Sequence, residues 1–212
     1  MNTTILLRLS RHFGAALLAL TICSATTTSA TPISVTIEPD SYADSQILNT
    51  ISPYVTLSTG VPPANAPTFD VVADTDPTGA STGTKVFAHA GGIPFWNTSR
   101  TLRMDFVVPA TTISLDYIAS GFMSNSYTGR LDAFSSTGTL LDSYETALLA
   151  AGQFETMTVT APHIAYAIAH PPSDPFGNFD HLTFTAVPEP TWLVTLLIAL
   201  SATLFTRRHR IT

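Results

Sequence analysis

The feature that most constrains this chain is a succession of short β-prone runs separated by turn signals, with no helical period of useful length between them. The runs fall at 33–37, 54–58, 69–73, 85–89, 102–108, 112–118, 129–134, 139–144, 154–160, 164–169 and 181–185. Several alternate with period two: Ile113, Leu115 and Tyr117 share one face, as do Met157 with Val159, Ile164 with Tyr166 and Ile168, and Leu182 with Phe184. Thr, Val, Ile, Tyr and Phe dominate them, the residue types that fit a pleated, half-buried surface. Between them stand Pro62-Pro63-Ala64-Asn65, Ser135-Ser136-Thr137-Gly138 and Pro171-Pro172-Ser173-Asp174-Pro175, all turn or loop signals. The one helix-like stretch, 146–151, is closed by Gly152 and is too short to matter. The pattern predicts an all-β domain over 31–186, built as a two-sheet β-sandwich. No internal repeat suggests a propeller or a solenoid.

Both ends read as targeting segments. Arg8, Arg11 and His12 precede an apolar stretch at 13–23 and a small-residue stretch at 24–30, the pattern of a secretory signal peptide spanning 1–30. Thr28-Ser29-Ala30 is the first choice of cleavage site and Cys23-Ser24-Ala25 the second. An apolar core of about 11 residues is too short to span a bilayer. Cys23 is the only cysteine, so an intramolecular disulfide is impossible and the fold must hold by packing. Leu20-Thr21-Ile22-Cys23 faintly follows a lipoprotein box, but Ile22 stands where that signal needs a small residue.

At the other end, 187–212 divides into three zones. Pro188 and Pro190 flank Glu189 and hold the backbone extended. An uncharged run at 191–206 would make a helix about 24 Å long, just short of the usual bilayer span of about 17 to 25 residues. Trp192 suits the interface at its entry, and Arg207, Arg208 and Arg210 stop transfer at its exit and stay cytoplasmic. A buried core helix is the alternative, but it would carry an unpaired arginine cluster. The sequence therefore predicts a single transmembrane helix and a membrane-anchored precursor.

Charge separates by compartment. Between Thr31 and Pro190 lie 4 cations, Lys85, Arg100, Arg103 and Arg130, against all 15 acids of the chain, a net charge of −11. A domain with no basic face is a poor partner for nucleic acid. Acidic clusters attract divalent cations instead.

The order Pro188-Glu189-Pro190, apolar helix, Arg-rich end resembles the PEP-CTERM sorting signal of Gram-negative bacteria that make exopolysaccharide. That resemblance implies recognition by an exosortase-type membrane protease, which removes the helix near the tripeptide and leaves the protein at the cell surface or in the biofilm matrix. Two internal stretches, 113–117 followed by 131–141, and Phe154-Glu155-Thr156-Met157-Thr158-Val159 leading to Phe179-Asp180-His181-Leu182-Thr183-Phe184, look like the jelly-roll domain common upstream of such tails. They are similar, more distantly, to galactose-binding-type carbohydrate modules. His181 stands where a second acid is frequent in similar sequences.

Candidate chemistry is sparse. Gly79-Ala80-Ser81-Thr82-Gly83 fits the letters of a nucleophile elbow, with His89 and Asp116 as paper partners, yet the strand-turn-helix setting is missing. His89, His163, His170 and His181 are scattered without zinc-site spacing, and His170 reads as a solvated loop residue. Calcium takes about six to eight oxygen ligands. The candidates are Asp70, Asp74 and Asp76 in one group, and Glu38 or Asp40 with Asp180 in another, where the ends of the domain would meet. Paired carboxylates for glycoside cleavage need a separation of about 5 to 10 Å, which acid abundance alone does not supply. Aromatics able to stack on sugars are Tyr54, Phe95, Trp96 and Tyr127; Trp96 is either a binding handle or ordinary core. The leading reading is an exported, non-enzymatic structural or adhesive protein associated with exopolysaccharide. A carbohydrate-binding module, with or without calcium, is the alternative, and a polysaccharide or ester hydrolase comes third.

Overall fold

The computed structural model describes residues 31–60, 69–76, 79–90, 95–120, 127–172 and 176–188. The expected signal peptide (1–30), the transmembrane run, Glu189, Pro190, Arg207, Arg208 and Arg210 lie outside them; Pro188 is the last residue within them. No helix among the described residues is long and apolar enough to cross a membrane. Thr31–Pro188 is one compact unit.

Its strands are β1 (Ile33–Ile37), β2 (Val55–Thr59), β3 (Val71–Thr75), β4 (Lys85–His89), β5 (Leu102–Ala119), β6 (Arg130–Phe134), β7 (Leu140–Glu145), β8 (Phe154–His170) and β9 (Gly177–Ala186), with a 3-10 turn at Pro39–Ser41. They form one continuous antiparallel sheet in the order β3-β4-β9-β5-β8-β6-β7, to which β1 adds beside β9 and β2 beside β5. The all-β expectation holds, and β1 and β4 match their expected bounds.

The main departure is that the runs expected at 102–108 and 112–118 are one strand, as are those at 154–160 and 164–169. Pro109 and Pro162 read as breaks because proline cannot donate to the ladder. In a sheet it is tolerated at bulges, where the strand bends but continues. That is what happens here: the pairing of β5 with β8 slips between Asp105 and Ala110 and again before Thr112, then resumes. Pro109 still accepts through its carbonyl, from Val187 N at 3.2 Å.

The bends divide the sheet. One half contains β2, the start of β5, the end of β8, β6 and β7; the other contains the end of β5, the start of β8, and β9 with β1 and β4. Both halves feed one core. Leu57, Met104, Leu131 and Ala167 come from the first half and Leu115, Val159, Leu182 and Phe184 from the second, with the Phe106 and Phe184 rings 5.0 Å apart. The bulge also re-phases the strand: β5 buries Leu102, Met104 and Phe106 before it and Ile113, Leu115 and Tyr117 after it. The expected common face of Ile164, Tyr166 and Ile168 fails for the same reason. Ile164 is buried at the slip, whereas Tyr166 and Ile168 lie opposite Asp105 and Arg103 on the partly exposed face.

At one end of the core a fully buried aromatic group packs together, with Trp96 and Tyr117 each about 6 Å from Phe179, ring to ring (6.0 and 5.8 Å). Tyr117 lies against Gly129 and Gly177, and a Cβ on either glycine would overlap its ring. Only glycine allows that approach.

Candidate functional site

Two groups of polar side chains stand out, and they lie on different halves of the sheet. The first is the meeting of the domain's ends. In β9 the pairing with β5 slips between Ser114 and Asp116, so that His181 and Leu182 together oppose the single residue Leu115. His181 takes a positive φ of 47° there, and Asp180 is left directly across from Asp116. Segment 79–84 closes over both. Asp180 Oδ2 accepts from Ser81 N and Thr82 N at 3.0 Å each, and from the Ser81 and Thr82 hydroxyls at 3.0 and 3.3 Å. Asp180 Oδ1 accepts from His181 N at 2.8 Å. The Ser81 hydroxyl also reaches Asp116 Oδ2 at 2.7 Å, and Thr156 donates to Asp116 Oδ1 at 2.6 Å. His181 Nδ1 lies 2.7 Å from Glu38 Oε2. Burial pushes Asp180 up from the ordinary carboxylate range, and the Glu38 charge adds to this while the donors of Thr82, His181 and Ser81 oppose it. The hydrogen bond to Glu38 holds the His181 imidazole above its usual value.

The structure thus brings Glu38 and Asp180 together, as the second calcium grouping supposes. It does not assemble a ligand set: among the described residues no three His, Cys, Asp or Glu side chains are arranged to hold a metal ion. The Asp180 oxygens already accept five protein donors, while Glu38 Oε1 and Asp40 Oδ2 are buried without a partner. The other grouping is dispersed. Asp70 accepts from Asn49 Nδ2 at 2.8 Å before β3 begins, whereas Asp74 lies near the far end of that strand. Burial raises the Asp74 carboxyl, with the charges of Asp44 and Asp76 adding to it. Asp76 accepts from Asn178 Nδ2 at 2.8 Å.

The elbow reading also fails on geometry. Ser81 does contact Asp116, but His89 is elsewhere, its Nε2 at 3.1 Å from Phe95 O and its ring edge-on to Trp96 at 5.5 Å. Burial holds His89 below its usual value, hence neutral. Trp96 is fully buried and donates Nε1–H to Phe87 O at 2.7 Å, so it is core and no sugar can stack on it. Tyr127 is buried too, and Tyr54 is half-buried against the core.

The second group is not among the candidates that the sequence singles out. On the first half of the sheet, the side chains opposite the core form registered rows. Arg103, Ile168, Asp132 and Ser143 are cross-strand neighbours, as are Asp105, Tyr166, Phe134 and Leu140. Arg130 pairs with both His170 and Glu145. Arg103 binds Asp105 through two hydrogen bonds of 2.8 and 2.6 Å and sets its guanidinium 4.1 Å above the Tyr166 ring. Tyr166 in turn stacks on Phe134 at 4.9 Å and 11°. Arg130 Nε donates to both Asp132 oxygens at 2.9 and 3.1 Å, with Glu145 at 3.6 Å and His170 Nε2 3.3 Å from Asp132. His170 therefore ends β8 in an ionic row and is not a free loop residue. The bonds from Asp105 raise the Arg103 guanidinium further above its ordinary value. A signal for this face exists in the sequence: Arg103-Met104-Asp105 and Arg130-Leu131-Asp132 repeat an Arg-x-Asp spacing, which on a strand puts both charges on one side.

The chain matches no protein-family model and no curated protein. Among solved structures it is similar to the K2 cleaved adhesin domain of Lys-gingipain (TM-score 0.44, 13% identity, 72% of this chain and 99% of that one). It is also similar to the C-terminal family 22 carbohydrate-binding module of a Clostridium thermocellum xylanase (TM-score 0.40, 11% identity, 70% and 95%). An arabinose-bound α-L-arabinofuranosidase is a third (TM-score 0.42, 10% identity), where 76% of this chain spans 27% of that one, about a quarter of its length. These are loose likenesses of β architecture and assign no residue.

Proposed function

We propose that this chain is an exported protein of the cell surface or extracellular matrix whose β domain, a sandwich of the jelly-roll kind, binds polysaccharide through the outward face of β5, β8, β6 and β7. Sorting follows from the ends of the sequence: a signal peptide at 1–30 and a PEP-CTERM tail at 187–212, processed by an exosortase-type protease near Pro188-Glu189-Pro190. The observation that carries the binding role is the row structure of that face. A guanidinium, a phenol and a phenyl ring are stacked beside two fixed Arg–Asp pairs, while the alternate residues of the same strands, Met104, Leu131 and Ala167 among them, hold the core. Sugar recognition needs fixed polar groups for hydroxyls beside apolar surface for C–H faces, which is the usual composition of a ligand site. The acids of the other group support binding rather than hydrolysis, because Asp116 and Asp180 share one serine hydroxyl under segment 79–84 instead of facing each other across open space.

Intact-mass analysis of the protein recovered from producing cells, with and without polysaccharide-degrading treatment, tests this reading. The expected result is a chain trimmed after about residue 30 and near Pro188, released from the matrix when the polysaccharide is digested. An untrimmed chain in the cytoplasm, indifferent to that treatment, overturns it.

A further inference from the structure

The charge on the outward face of β5, β8, β6 and β7 is informative about its ligand, an inference that rests on the polysaccharide-binding role proposed for that face. Arg103 is neutralised by Asp105, and Arg130 by Asp132 with Glu145 beyond it. His170 also turns to Asp132. Two of the domain's 4 cations thus stand on this face, and each is already paired with a carboxylate. The other two are engaged elsewhere: Lys85 Nζ donates to Tyr42 O at 2.7 Å, and Arg100 lies 4.8 Å over the Phe69 ring. Around them the stretch from Thr31 to Pro190, with 4 cations against 15 acids, carries a net charge of −11.

A polymer of uronic or sulfated sugars brings repeated negative charges to such a surface. It would meet carboxylates first, and would have to pull a guanidinium out of a bidentate pair to gain one attraction. Like-charge juxtaposition of this kind excludes partners more strongly than a good contact attracts them. A hydroxyl-only chain has no such difficulty. Arg–carboxylate pairs held in one geometry offer both spare N–H groups and spare lone pairs to hydroxyls. Phe134, Ile168 and the exposed Leu140 supply apolar surface between them. The Tyr166 hydroxyl is close to the β6–β7 turn, where a Cβ on Gly138 would stand 3.6 Å away, and glycine leaves that space open. Strand spacing sets the width of the platform: four neighbouring strands cover about 14 Å, enough for a run of sugar units rather than a single one.

We infer that the face formed by Arg103, Asp105, Phe134, Tyr166 and Ile168 takes an uncharged polysaccharide and rejects acidic ones. The test is affinity electrophoresis and calorimetry of the mature protein against two neutral polymers, galactomannan and dextran, and two acidic ones, alginate and polygalacturonate. The proposal expects retardation by a neutral polymer, little changed by raising salt, and none by the acidic pair. Asp105→Asn and Tyr166→Ala should each weaken that binding by about 10-fold or more, the loss expected for a polar contact or a packed aromatic. A melting curve on each variant separates lost binding from lost folding. Binding to alginate or polygalacturonate alone, falling steeply with salt, overturns the neutral-ligand inference and leaves a polysaccharide-binding protein. Neutral binding unaffected by both Asp105→Asn and Tyr166→Ala removes the site from this face. Failure to bind any of the four polymers counts against the inference, and against the binding role itself if polymer from the producing cells also fails.

Discussion

Replacing Asp180 with alanine tests whether the meeting of the domain's ends holds the fold. Asp180 is fully buried, and its carboxylate accepts from three backbone amides, Ser81, Thr82 and His181, and from two hydroxyls. On truncation the Ser81 hydroxyl keeps Asp116 as acceptor, and the Thr82 hydroxyl is free to rotate. The Ser81 and His181 amides, in half-buried residues, have no such recourse, whereas Thr82 is exposed and its amide can turn to water. Each stranded buried donor costs about 1–3 kcal/mol, and neighbours in one network do not add fully. Against this, removing the carboxylate relieves the burial that raises its own pKa. A net loss of about 2–4 kcal/mol follows, which for a unit of this size is a fall in melting temperature of about 5–15 °C. Asp180→Asn keeps one acceptor oxygen and should lose about half as much. Asp105→Ala removes a half-exposed ion pair and should cost under about 1 kcal/mol. Circular-dichroism melts of the three variants and the parent make the comparison. A drop for Asp180→Ala no larger than that for Asp105→Ala would refute the reasoning, because the amides must then find other acceptors at no cost.

Neighbouring features lead to further expected outcomes. Gly177→Ala drives a methyl into the Tyr117 ring and should destabilise by about 1–3 kcal/mol, read from the urea midpoint. The Tyr117 hydroxyl is buried without a partner, and burial pushes it well above its usual pKa. Tyr117→Phe should therefore hold or raise the melting temperature, and a loss of more than about 1 kcal/mol would mean the hydroxyl has an acceptor. His181 titrates above its usual 6.5 because of Glu38. Its contribution is thus complete below about pH 6.5 and fades as pH rises through the raised folded value. The melting-temperature gap between the parent and His181→Gln should be wider near pH 5.5 than near pH 8.5, and a gap that widens with pH would contradict the pairing.

Much of the β architecture was legible because period-two alternation survives wherever a strand has one face in a core: Ile113, Leu115 and Tyr117 are all buried as the pattern requires. What the pattern misses is continuity. Pro109 and Pro162 carry the ordinary letters of a break, and only the pairing on both sides shows that each strand resumes against the same partner. The site was less legible. Bringing Glu38 to Asp180 follows from the meeting of the first and last strands, yet whether acids converge on one point or are capped by serine and threonine donors depends on a loop distant in sequence. Trp96 illustrates the opposite difficulty, since flanking glycine and proline suggest a loop, while an isolated bridge to Gly177 draws the residue into the core. The Arg103 and Arg130 rows were visible as spacing but needed cross-strand register to become a surface.

One consequence concerns force. β9 ends at Ala186, two residues before Pro188, and over Leu182–Ala186 it is flanked by β1 on one side and β5 on the other. A pull applied beyond Pro188 would therefore run lengthwise along an interior strand. Its ladder on both sides must slip together, whereas a strand at the margin would peel one rung at a time. A body held to a moving surface by this end is gripped where it resists extraction best.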